Sequence, residues 1–166
     1  MSLVPSRRHH GFTLVEVLLL TAVLGLLAAG ILPQVTIRSS DDLEQNVRIR
    51  LRVLRQQIEL YAQEHNGRRP AHNSDRPEDF EDAMLYSSDV EGNLGTVGTK
   101  PFGPYFIHHV PANPYTNSSR VKIVSDVDAA RSDDDPLYGW FYNPESGRIK
   151  ANTTATTENG TPIDEL

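Results

Sequence analysis

Glu16 is the fifth residue of the only long apolar run in the chain, Phe12 to Leu32, whose 21 residues include no Lys, Arg or His. An acid at the centre of a membrane segment costs about 2.5–3.5 kcal/mol on insertion scales, and less near an interface. Such a residue implies a partner, and no side chain of the run supplies a cation. A cut between Gly11 and Phe12 would create one, the free α-amino group of Phe12. The chemistry this spacing points to is ion pairing, not bond making.

A second group of acids, Asp126, Asp128, Asp133, Asp134 and Asp135, falls within ten residues. Closely spaced oxygen ligands suit Ca²⁺, and a small domain without cysteine gains from a metal staple. The alternative is a solvated acidic loop. His108 and His109 are adjacent in a strand-like run and would point to opposite faces, so they do not share a metal. Asn117, Asn152 and Asn159 begin N-x-[ST] sequons short enough to arise by chance. No nucleophile–base set, phosphate loop or HExxH motif is present, and the expectation is that the protein is not an enzyme.

The elements that must position these residues follow from composition. At 166 residues the length suggests one domain, and the absence of cysteine excludes a disulfide framework and thiolate metal sites. Net charge is −6, and losing residues 1–11 would leave 14 basic against 22 acidic residues, or −8. An acidic body repels phosphate backbones, so no direct nucleic-acid partner is expected. About 20 apolar residues span a bilayer as a helix. Arg7 and Arg8 precede the run, which puts the amino terminus in the cytoplasm and the rest outside. A secretory signal cut near Ala29 or Gly30 and an uncleaved anchor are the alternatives, but neither accounts for Glu16.

Gly11-Phe12-Thr13-Leu14-Val15-Glu16, with its short basic leader and long apolar stretch, resembles the processing site of type IV prepilins and pseudopilins. The resemblance implies that a prepilin peptidase cuts after Gly11 and methylates Phe12. It also implies that Glu16 pairs with the terminal amine of a neighbouring subunit, and that Pro33 is the kink position. On this reading residues 1–11 are a cleaved leader and 12–32 a transmembrane and filament-core helix.

Residues 33–66 continue that helix as an amphipathic segment. Leu43, Val47, Leu51, Leu54, Ile58, Tyr61 and Ala62 recur at spacings of mostly three and four, and Asn66-Gly67 is a stop signal. From about Thr13 to His65 such a helix would be about 80 Å long. Residues 67–151 read as a small α+β domain with an antiparallel sheet. Its expected parts are a short capped helix from Asp75-Arg76-Pro77-Glu78, a Gly-rich loop over 87–104, and strands over 105–110, 120–125, 137–142 and 148–151. Asn143-Pro144-Glu145-Ser146-Gly147 turns the last two into a hairpin. Residues 152–166 have little to bury and read as a flexible tail.

Four stretches extend the resemblance towards major pseudopilins of type II secretion systems. They are Tyr61 to Gly67 with Pro70, Gly103-Pro104-Tyr105, Pro111 to Tyr115, and Gly139-Trp140-Phe141-Tyr142. Major pseudopilins bind calcium in a carboxyl-terminal loop, whereas the acids here lack a Gly-rich loop and precede the final hairpin. The implied function is a major pseudopilus subunit in the inner membrane, its carboxyl-terminal domain periplasmic. Expected partners are copies of itself, the prepilin peptidase, minor pseudopilins, the inner-membrane assembly machinery and the lipid bilayer. A type IV pilin for adhesion, motility or DNA uptake, and a single-span anchored binding module, are the alternatives.

Overall fold

The structure, a computed structural model, describes residues 13–30, 40–130, 137–157 and 159–163, with the backbone alone over 25–30. The chain divides into two units, residues 1–37 and 38–166. In the first, helix α1 spans Leu14–Gly30 and is apolar around its whole circumference except for Glu16 and Thr21. Every described side chain from Thr13 to Leu24 is exposed. Among the described residues no helix is long and apolar enough to cross a membrane. The expected span and kink include Phe12, Ile31, Leu32 and Pro33, which lie outside the described residues.

The second unit begins with helix α2, Ser40–Glu64. Its three-four periodicity does what the pattern requires: Val47, Leu51, Leu54, Ile58, Tyr61 and Ala62 are buried, and Leu43 at the start is half-buried. The helix stops as Asn66-Gly67 predicts. Asn66 and Gly67 take positive φ of 55° and 82°, and the Gly67 N–H turns back to the Ala62 carbonyl at 2.8 Å.

Helix α3, Pro77–Leu85, buries Phe80, Ala83 and Met84. Its cap differs from the expected one. Arg76 occupies the cap position without a side-chain cap, while Ser74 Oγ accepts the Arg76 N–H and donates to Asp79. Strands β1 (Ser87–Ser88) and β2 (Leu94–Gly95) form a small antiparallel pair within the Gly-rich loop.

The main sheet has three short strands: β3 Val121–Ile123, β4 Trp140–Tyr142 and β5 Ile149–Ala151. β4 and β5 form the predicted antiparallel hairpin, with Trp140 opposite Ala151. β3 runs parallel to β4, so the sheet is mixed where an antiparallel one was expected. The 124–139 connection is long enough to carry the chain back to the same end, as parallel pairing requires. The fold class, α+β, is as expected.

Two other expectations are corrected. Residues 105–110 form no strand, because the Tyr105 and Phe106 N–H groups both bond to the Met84 carbonyl at the end of α3, at 2.9 and 3.0 Å. The tail also finds something to bury: Ile163 is 0% exposed within the core, and its N–H bonds Ala155 O at 2.9 Å.

The four resembling stretches meet in pairs. Tyr61 stacks on His65 with ring centres 3.7 Å apart, and Tyr105 leans on Tyr61 while its hydroxyl donates to Glu64 at 2.5 Å. Asn113 Nδ2 donates to Gly139 O and Asn152 O at 2.8 and 3.0 Å, and Trp140 Nε1 donates to Pro111 O at 2.8 Å. Tyr61 of the first cluster and Trp140 of the second belong to one buried core, with Tyr105 packed against it.

Candidate assembly site at the amino-terminal helix

Thr13 is the residue that starts α1. Its Oγ1 accepts the Glu16 N–H at 3.3 Å, and its carbonyl accepts the Val17 N–H at 3.1 Å. Thr13 is therefore the N-cap and Glu16 the third helical residue, the spacing of a capping box. The Glu16 carboxylate lies in the first turn, where unpaired N–H groups and the helix dipole favour an anion. Sequence reasoning named Glu16 for its missing cation and overlooked this local role, although Thr-x-x-Glu was legible.

The rest of α1 makes Glu16 stand out further. Its other polar side chain, Thr21, donates to the Leu18 carbonyl at 3.0 Å and so is satisfied within the helix. Among the described residues nothing donates to the Glu16 carboxylate. α1 thus has an apolar sequence with a single charge, near its start, that no described side chain neutralises. Gly11, Phe12 and Pro33, the other residues singled out for processing and assembly, lie outside the described residues.

The acidic group is split in the same way. Asp133, Asp134 and Asp135 lie outside the described residues. Asp126 Oδ1 accepts the Asp128 N–H at 2.9 Å. Asp128 is held by both Arg148 guanidinium nitrogens, at 2.6 and 2.7 Å, and this pairing lowers its carboxyl below the usual range. Around them Arg55, Asp128, Arg148 and Lys150 line a cavity of about 530 Å³. The two described acids are therefore engaged by protein groups, and among the described residues no three His, Asp or Glu are placed to hold a metal. His108 and His109 are both exposed.

Residues 6–32 match the family model described as the prokaryotic N-terminal methylation motif. The matched stretch takes in Gly11, Phe12 and Glu16. The chain therefore carries a type IV pilin-like amino terminus, which goes with prepilin processing, filament assembly in general and membrane anchoring. No curated protein and no solved structure matches the chain.

Proposed function

We propose that this chain is the major structural subunit of a type II secretion pseudopilus. It is inserted with its amino terminus in the cytoplasm, cut after Gly11, methylated on Phe12, and drawn from the bilayer into a short filament that helps move cargo outward. The observation that carries this reading is Glu16, the one charged side chain of α1, which no described residue pairs with. It lies four residues after the terminus that cleavage would create, and inside the matched motif.

The ion pair explains why such a group is tolerated. In a filament core the apolar sides of α1 are covered by copies of α1, and the Glu16 of one copy meets the Phe12 ammonium of another. In a low-dielectric setting an opposite charge is what keeps a carboxylate ionised. No bond is made or broken by the subunit itself, so its work is structural and it has no catalytic residue. A Ca²⁺ ion among Asp126, Asp128, Asp133, Asp134 and Asp135 is a separate proposal, and it would require displacing Arg148 from Asp128.

Mass spectrometry of the amino terminus of membrane-derived protein tests the reading. The expected start is N-methylated Phe12. A start at Met1 or beyond Ala29 overturns it. Deleting the gene then separates the two filament types: loss of protein export with surface pili intact supports a pseudopilus, and loss of pili with export intact supports a type IV pilus.

A further inference from the structure

Opposite the buried stripe of α2 lies a face whose residues Ile49, Arg52, Gln56 and Leu60 are exposed among the described residues. Ile49 and Leu60 stand on one line of that face, 51% and 41% exposed. Arg52 and Gln56, at three- and four-residue spacings between them, share it. Beside this line α2 borders a shallow groove of about 660 Å³. Arg48 is tied to Glu44 at 2.8 Å, whereas Arg52, one turn on, is exposed. This face therefore offers a guanidinium flanked along the helix by exposed aliphatic side chains, on a chain of net charge −6.

The far end of α3 is its counterpart. Glu78, Asp82 and Tyr86 follow at four-residue spacings along one line, and Tyr86 and Leu94 are 46% and 45% exposed. Asp82, Tyr86, Leu94, Gly95 and Thr96 line a shallow, open concavity of about 330 Å³. A carboxylate beside an exposed phenol ring fits a guanidinium, which pairs with the acid and stacks on the ring. Leu94 offers an aliphatic contact for a leucine.

We propose that the outer face of α2 in one copy docks, through Arg52 and Leu60, into the Asp82–Tyr86–Leu94 concavity of the next copy. The occupant is a second copy because both halves, matched in charge and each carrying exposed apolar side chains, are on the same body. A contact between two different patches is heterologous and extends into an open chain instead of closing as a two-fold dimer. The proposal rests on the filament reading, to which it adds a contact between bodies.

The chain contains no cysteine, so engineered thiols report this contact without background. The full-length variant carrying both Gln56→Cys and Thr96→Cys, treated in cells with a short bis-maleimide, should give a ladder of multimers. Either substitution alone should stay monomeric. Arg52→Glu should cut the ladder about tenfold, and adding Asp82→Arg should restore it. Processed chain and normal filaments without a ladder overturn the docking and leave the filament reading intact. Dimers from a single cysteine also overturn it, since they mark a two-fold contact. Unprocessed chain with neither ladder nor filaments overturns both.

Discussion

The hydroxyl of Thr13 accepts the N–H of Glu16 at 3.3 Å, so the acid singled out for assembly also stands in the first turn of its own helix. The two roles separate by mutation. Thr13→Ala removes the cap at a cost of about 1 kcal/mol and frays the start of α1. Glu16→Gln keeps the shape and the cap while removing the charge. We expect processed protein from both variants, filaments from Thr13→Ala, and none from Glu16→Gln, as read by electron microscopy of sheared cells. Normal filaments from Glu16→Gln would sink the assembly role.

Asp128 sets the terms for calcium. Both its oxygens are held by Arg148, so an ion must compete with a bidentate guanidinium. If Ca²⁺ binds among these acids, adding it to chelator-treated protein raises the melting temperature, and Arg148→Ala strengthens that response by freeing Asp128. Calorimetry reads both. An unchanged melting temperature in wild type and variant identifies a solvated acidic loop.

Gly139, just before β4, lies close against the backbone of Ser118. A Cβ there would lie 2.0 Å from the Ser118 carbonyl oxygen, which is backbone and cannot swing aside. Gly67 takes a positive φ, unlike Gly139, and a Cβ there meets nothing within 4 Å. Gly139→Ala should therefore cost about 3 kcal/mol through overpacking, and Gly67→Ala about 1–2 kcal/mol through backbone strain alone. Urea unfolding of the full chain in detergent gives the order, and equal costs would refute this account of the packing.

These residues also show what was legible in the sequence. The α2 stripe and the β4–β5 hairpin came from local periodicity and a local turn, which need no knowledge of distant partners. Tyr105–Val110 looked like a strand for its aromatic and branched residues, yet its backbone bonds go to Met84, 21 residues upstream of Tyr105. The parallel pairing of β3 and the burial of Ile163 likewise depend on contacts far along the chain. At the candidate site, Glu16 was visible as a charge out of place. The engagement of Asp128 by Arg148 was not, because those residues are 20 positions apart.

Asp89 gives the β1–β2 loop a pH dependence of its own. Its Oδ2 accepts a hydrogen bond from Lys100 at 2.7 Å, and its Oδ1 accepts the Asn93 N–H at 2.9 Å. The Lys100 bond is the main cause that holds the carboxyl well below the usual range, with the Asn93 bonds adding to it and burial opposing. A carboxyl depressed in the folded state stabilises it above the unfolded pKa of about 3.9 and loses that contribution as pH falls through the folded value. Amide protection over residues 87–102 should therefore be level near neutral pH and fall below about pH 4. Because Asp128 is depressed too, a whole-protein melt mixes the two groups, whereas exchange at the Asn93 amide reports the loop. Asp89→Asn should lower that protection at neutral pH and remove its acid dependence. The same acid profile in the variant would show that another group governs the loop.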